Sequence, residues 1–358
     1  MKGFFLNSML IADMETGEAV RQPLPADVAE KGDLSALSLL YPHDVVLACG
    51  LLSGSFAPSS CVLTLYADGM KTMLKGHVAP ALRRCGLDAI VLRGKGSAPR
   101  ALVADEERVA LLPLDAEADV PSQRRELERL AKNMRGMYAD SSPECLIAGP
   151  AAFHDSNTSA VCLSEGAVSR STAAALAMAR RRIAGVCMNG CRYSVPAVAL
   201  SDSARAQAPV ARLKTSLLAD IIRLVKPGFS GRVPVVGRAI ACYGCPAPCG
   251  FWMKAEKGYA ACTDAAALSV LLEKGLSDKS IAAVLKAAAS FGIDPIYVIA
   301  EEGHVPECLS ECLKNDIAAP SAEEMDDAAL DGMRLGVCPL YLKRFPGMHE
   351  LLKKYLAG

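Results

Sequence analysis

To about Leu200, the hydrophobic positions come in short runs bounded by Gly, Pro, Asn, Asp or Ser, which is the pattern of strands. FFLNSMLIAD and METGEAVRQPLP predict two strands with a turn at Thr16-Gly17. HDVVLACG, CVLTLYAD and LDAIVLRG are further apolar runs, and ALVADEERVALLPL predicts a hairpin with Asp105-Glu106-Glu107 at its tip. One amphipathic helix interrupts them. In SQRRELERLAKNMRGMY, Leu127, Leu130 and Met134 fall at helical spacing against a heavily charged face. ECLIAGP returns to strand, and the Ala-rich STAAALAMARRRIAG predicts a helix closing at Gly185.

From about Ser201 the pattern turns mostly helical. SARAQAPVARLKTSLLADIIRLVKPG predicts one or two helices ended by Pro227-Gly228. TDAAALSVLLEKG opens on a Thr263-Asp264 cap signal and stops at Gly275, and SDKSIAAVLKAAASFG repeats the arrangement from Ser277 to Gly292. The acidic SAEEMDDAALDG reads as a solvated loop or short helix. Strands followed by helices predict an α+β fold: a β-rich domain over residues 1–205 and a helical domain over 206–358. No repeat of fixed period is visible.

Composition narrows the functions. Hydrophobic residues make up 51% of the 358 and charged residues 22%, enough to bury a sizeable core. Lys plus Arg equals Asp plus Glu at 39 each, and aromatics are 5%, so neither a basic footprint nor a stacking surface for nucleic acid is expected. The longest apolar stretch, AAASFGIDPIYVIA, is broken by Asp294 and too short for a membrane. The opening MKGFFLNSMLIADMETGE lacks a cleavage site of small residues, so a cytoplasmic protein with reduced thiols is expected.

Against that background, fourteen cysteines need an account. Cys49, Cys61, Cys162 and Cys187 sit in apolar runs and read as small buried hydrophobes. The segment ACYGCPAPCG differs. Cys242, Cys245 and Cys249 are spaced C-x2-C-x3-C, among Gly244, Pro246, Pro248 and Gly250. Such a segment can neither continue a helix nor pair in a central strand, so it forms a loop whose turns aim several sulfurs at one space. Gathered thiolates need a cation to neutralise them. Zinc usually takes two separated C-x2-C knuckles, and no second one exists here. A 4Fe–4S cluster takes one sulfur per iron, commonly from a short run plus one distant cysteine. Cys338, between Gly336 and Pro339, and Cys262 are the candidates for the fourth ligand. The pairs Cys308/Cys312 and Cys187/Cys191 read as packed stripes, with a second cluster as the alternative.

ACYGCPAPCG resembles the cluster loop of the tungsten-containing aldehyde ferredoxin oxidoreductase family. LIADMETGEAVRQPLP, HDVVLACGLLSGSFAPSS, CGLDAIVLRGKG, ECLIAGPAAF, SFGIDPI and RLGVCPL resemble other family stretches in the family's order. The match of RLGVCPL ranks Cys338 above Cys262 as fourth ligand. The resemblance implies a β-rich domain cradling a tungsten (or molybdenum) bis-pterin, with helical domains beyond it and the cluster beside one pterin. It also implies oxidation of an aldehyde or oxo group, with electrons passing through the cluster to ferredoxin or another redox protein. Asp294 in FGID occupies a pterin-binding position of the family.

The chain departs from the family at several points. SRSTAAALAMARRR stands where the family has a glycine-rich stretch, and the methyls of Ala173, Ala174 and Ala175 would hinder close backbone approach to phosphates. Where the family has basic and Asn contacts, this chain has SSCVLTLYADGMKTMLKG, whose Lys71 and Lys75 read as solvated surface residues, with phosphate contact as the alternative. The family's Asp before the distant cysteine falls on Met333, with Asp331 out of register, and His304 is the only His between SFGIDPI and RLGVCPL. Two readings follow: an oxidoreductase with a reduced active site, or an electron-transfer or non-catalytic subunit that keeps the cluster without the pterin. The expected associates are a second copy of the chain or a larger catalytic subunit. A zinc-binding structural module ranks last.

Overall fold

The computed structural model describes residues 5–55, 57, 59–135, 142–164, 166, 168–169, 171–191, 215–234, 237–245, 249–256, 258–262, 265–298, 308–313 and 325–357. The expected Thr263-Asp264 cap, Pro246, Pro248, His304, residues 201–214 and the first four residues of SAEEMDDAALDG lie outside them.

The first sheet contains β1 (Met9–Asp13), β2 (Ala19–Gln22), β3 (Val45–Cys49), β4 (Val62–Ala67), β5 (Met70–Lys75) and β6 (Ala89–Arg93). Helices α1 (Ala26–Lys31), α2 (Ala36–Leu40) and α3 (Val78–Arg84) connect them. The second sheet contains β7 (Arg100–Ala104), β8 (Val109–Pro113), β9 (Glu144–Ala148), β10 (Val161–Leu163), β11 (Val168–Ser169) and β12 (Ile183–Met188). Its helices are α4 (Val120–Arg135), α5 (Pro150–Phe153) and α6 (Thr172–Arg180).

The two sheets have the same topology. The first runs β2-β1-β6-β3-β4-β5 and the second, read from its far edge, β8-β7-β12-β9-β10-β11. Each opens with an antiparallel hairpin, returns its last strand parallel to the first, and places an antiparallel meander beyond it. The chain therefore does contain a repeat, of topology rather than of sequence period. A sheet constrains which positions are apolar far more tightly than which residue fills them, so two halves can share a fold without sharing a sequence.

α3 and α6 lie between the sheets, and the main core forms there: Leu47, Leu63 and Ile90 of the first sheet and Leu146, Val161 and Val186 of the second enclose Leu82, Ala175 and Met178. Helices α1 and α2 cover the outer face of the first sheet, and α4 covers the second through Val120, Leu127 and Ala131. One expectation is corrected here. STAAALAMARRRIAG is not one helix closing at Gly185: α6 ends at Arg180, Arg182 adopts a φ of 61°, and Gly185 lies inside the buried strand β12. Continuous small apolar residues satisfy a buried helix and a buried strand equally.

The remainder contains α7 (Thr215–Val225), a three-stranded sheet of β13 (Ala239–Ile240), β14 (Gly250–Lys254) and β15 (Tyr259–Cys262), then α8 (Ala265–Glu273) and α9 (Asp278–Phe291). After these come α10 (Leu309–Leu313), α11 (Asp327–Leu335), α12 (Pro339–Arg344) and α13 (Pro346–Ala357). This part is mostly helical as expected, and the small sheet is an addition to it. α9 follows its prediction closely: Ser277 accepts the amide of Ser280 at the N-cap, and Gly292 closes it in the left-handed conformation.

One close approach joins the two parts. A Cβ on Gly50 would overlap the backbone of Gly336 and Met333, and Gly336 has a φ of +76°. With both side chains absent, the amides of Leu51 and Leu52 donate to Arg334 and Leu335 at 3.0 and 2.7 Å, and Val62 donates to Gly336 at 3.1 Å. Gly50→Ala is expected to destabilise the protein by about 3 kcal/mol in urea denaturation, because backbone must move on both sides. A loss below about 1 kcal/mol would show that the contact yields easily.

Candidate metal centre

Cys242, Cys245 and Cys249 all lie on the connection between β13 and β14, whose pairing sets Ile240 opposite Gly250. The hairpin thus brings its two flanks together and projects the cysteine segment as its loop. The amide of Cys245 donates back to the carbonyl of Cys242 at 3.0 Å, forming a turn. The loop docks on the first sheet through the Tyr243 amide to Gly76 at 3.3 Å, and His77 Nε2 hydrogen bonds with the Ala241 carbonyl at 3.0 Å.

Ser59 ties three segments into one site. Its amide donates to Gly244 in the cysteine loop at 3.0 Å. Its carbonyl accepts the amides of Cys61 at 2.8 Å and Cys338 at 3.0 Å. Cys338 is buried and caps the N-terminus of α12. Cys61, fully buried just before β4, lies in one apolar cluster with Cys338, and Cys242 packs against that cluster. Cys249 is half-buried and feels the charges of Cys242, Cys338 and Cys245. The first sheet, the hairpin loop and α12 thus bring Cys61, Cys242 and Cys338 to one cluster, with Cys245 and Cys249 on the same loop as Cys242.

The surroundings act oppositely on Cys338 and Cys249. The hydrogen bond from Cys61 lowers the pKa of Cys338 to about 6, aided by the ammonium of Lys75 and the backbone amides of Tyr341 and Leu340 and opposed by burial. Burial raises the Cys249 thiol well above its ordinary value, and the neighbouring cysteine charges add to this. Lys75 is the nearby cation that lowers both.

As they stand, no three His, Cys, Asp or Glu side chains among the described residues are arranged to hold a metal ion. A cubane does not ask its sulfurs to converge on one point, because each binds a separate iron. The donor set fits such a cluster in a second respect. Ser59 Oγ and Tyr341 Oη are both buried without a hydrogen-bond partner among the described residues. Ser59 joins the cysteine segments, and Tyr341 lies near enough to Cys245 that its charge, after burial, helps push the phenol up to about 12. Buried hydroxyls with no partner are costly unless a further acceptor enters the site, and cluster sulfur is one.

The rival cysteines lie elsewhere. Cys262 is paired opposite Phe251 in β15 and packs in the core of the three-stranded sheet. Cys187 lies in β12 beside Cys145, with their sulfurs 2.9 Å apart, while the exposed Cys191 hydrogen bonds with Glu106. Cys308 is exposed, and the side chain of Cys312 lies outside the described residues. Cys61 is the buried core residue that its apolar run predicts, and the fold sets it in the same cluster as Cys338.

The positions expected to hold a pterin fit it poorly. Ala174 and Ala175 belong to the main core as part of α6, whose N-cap Ser171 already accepts the Ala174 amide. Among the described residues, no open loop of amides is presented there. Asp294 caps a 3-10 turn, Pro295–Tyr297, by accepting the amide of Ile296 at 3.1 Å. Lys71 is exposed on the edge strand β5, Asp331 bonds His349 at 2.8 Å, and Met333 is buried. A pocket beside Cys242, bounded by Lys75, His77, Glu144 and Ser164, has a volume of about 20 Å³, room for about one water.

Residues 38–190, which take in β3 to β12, match the family model "Aldehyde ferredoxin oxidoreductase, N-terminal domain". Among solved structures, the chain matches one described as "Active site complex BamBC of Benzoyl Coenzyme A reductase in complex with 1,5 Dienoyl-CoA". The TM-score is 0.62 at 15% identity, over 82% of this chain and 54% of that chain. The likeness is one of fold, and this chain spans about half the length of the other. No curated protein matches it. No described helix is long and apolar enough to cross a membrane.

Proposed function

We propose, from the match of residues 38–190 to the aldehyde ferredoxin oxidoreductase amino-terminal domain, that the chain is an iron–sulfur redox protein that carries a 4Fe–4S cluster and passes electrons without tungstopterin chemistry of its own. The cluster ligands are Cys242, Cys245, Cys249 and Cys338. The carrying observation is the gathering of these sulfurs by Ser59 and Gly244 beside two buried hydroxyls that lack partners. When bound, the cluster supplies one-electron storage.

The chain's own residues do the rest. The hairpin loop and the α12 cap hold the sulfurs, Lys75 offsets their charge, and Leu51, Leu52 and Val337 keep water from one side. The partners that suit this reading are ferredoxin or another redox protein, or a larger catalytic subunit to which the chain relays electrons. The core-packed Ala174 and Ala175 argue against an aldehyde-oxidising pterin at that position.

Metal analysis of anaerobically purified protein tests the proposal. About four irons per chain with no tungsten or molybdenum is the expected result. Stoichiometric tungsten or molybdenum beside the iron would replace this reading with an aldehyde or oxo-group oxidoreductase. Zinc alone would overturn both.

A further inference from the structure

We propose that Cys145 and Cys187 are a redox-sensitive pair, which a two-electron oxidant closes to a disulfide that staples strand β9 to strand β12. The pair is independent of the cluster reading above. The two residues stand directly opposite each other where β9 and β12 run antiparallel. Their sulfurs lie 2.9 Å apart, with Cys145 Sγ donating to Cys187 Sγ. Spacing along the chain set Cys187 with Cys191, and the fold separates those two: Cys191 is exposed and hydrogen bonds with Glu106.

The paired strands, rather than flexible side chains, hold the two sulfurs together. Opposite residues of antiparallel strands have Cα atoms about 4.5–5.5 Å apart, inside the span that a disulfide bridges. Closing the bond brings the sulfurs roughly 0.9 Å nearer, which side-chain rotation supplies with both backbones in place. Both residues are wholly buried, in the cluster that Leu127 and Ala131 of α4 cover. They nevertheless stand one residue in from the ends of their strands, with only Glu144 opposite Met188 beyond them in the register. Strand ends open at lower cost than the sheet as a whole, so a small neutral oxidant can enter there. With hydrogen peroxide, one sulfur bonds to a peroxide oxygen as the O–O bond breaks, giving a sulfenic acid and water. The second thiol then displaces the hydroxyl of that acid, forming the S–S bond and a second water. The sulfurs lose two electrons, the peroxide gains them, and both thiol protons leave in the waters. The bond closes a loop over a separation of 42 residues that takes in β10, β11 and α6, which restrains unfolding of the second sheet.

The test treats the full chain with hydrogen peroxide, digests it without reductant and maps the cysteines by mass spectrometry. The expected result is a linked Cys145–Cys187 peptide, lighter by two hydrogens and separated again by dithiothreitol. The bond should raise the thermal unfolding midpoint by about 4 °C, and Cys145→Ala given the same peroxide should show no such rise. That comparison also removes any effect of peroxide on a bound cluster. Linkage of Cys187 to Cys191 or Cys162 in place of Cys145 overturns the proposal. So does a map in which the exposed Cys191 is oxidised while Cys145 and Cys187 remain thiols. A linked pair that leaves the midpoint unchanged overturns the stapling role. If Cys145→Ala fails to fold, the map of the wild type and its midpoint before and after dithiothreitol decide the matter.

Discussion

Cys338→Ala is expected to lose most of the brown cluster absorbance and bound iron after anaerobic reconstitution, whereas Cys262→Ala keeps both. The two residues were equal candidates on spacing alone, and the fold separates them. Cys338 stands at the α12 N-cap with its amide on Ser59, in contact with Cys61 and within the field of Lys75. Cys262 points its strand position into a separate apolar core. Removing one of four ligands leaves an iron without its protein sulfur, and metal sites typically lose affinity steeply when the ligand count is incomplete. Cys245→Ala should behave like Cys338→Ala, since it shares the hairpin loop. Full iron retention in Cys338→Ala would remove it from the ligand set.

A second large effect is expected away from the cysteines. Arg83 and Asp88 form an ion pair with both side chains wholly buried. Asp88 also accepts the amides of Leu6 and Ser8, each at 3.1 Å, and Arg83 donates to the Gly50 carbonyl at 3.1 Å. The pair thus pins the entry to β1 and the loop that meets Gly336. Asp88→Ala should destabilise the protein by about 3–5 kcal/mol, because it leaves the guanidinium charged and unpaired in the core. Urea denaturation of the metal-free protein measures this apart from the cluster. Replacing both residues with apolar ones of similar volume should restore much of the loss, since the unpaired charge, rather than the missing bond, is the main cost. A single substitution costing under about 1 kcal/mol would mean that water or a neighbour takes over the pairing.

Where local chemistry decides the backbone, the fold was legible. The turn at Thr16-Gly17 and the Asp105 tip formed as expected, with Asp105 accepting the amides of Glu107 and Arg108 at 2.7 Å. Ser277 and Gly292 bounded α9 for the same reason. Where several conformations satisfy the same apolar run, the reading failed. The split between α6 and β12 and the strands of the cysteine-bearing part were missed. So was the repeated topology of the two sheets, which is a property of pairing order and leaves no mark at any single residue.

The cysteine site divides along the same line. Spacing and the Pro and Gly around it were enough to make Cys242, Cys245 and Cys249 one loop, because those residues exclude helix and central strand locally. Cys61 looked like any buried cysteine in an apolar run, and Cys338 competed with Cys262. The family resemblance ranked Cys338 first, and only the tertiary structure set the Cys61 and Cys338 amides on one carbonyl, that of Ser59. The missing side chains at Gly50 and Gly336 let two distant backbones touch, and Ser59 then binds the segments of Cys61, Cys338 and Gly244 together. Contacts between residues so far apart in the chain depend on how whole sheets and helices pack, and no local pattern encodes that packing.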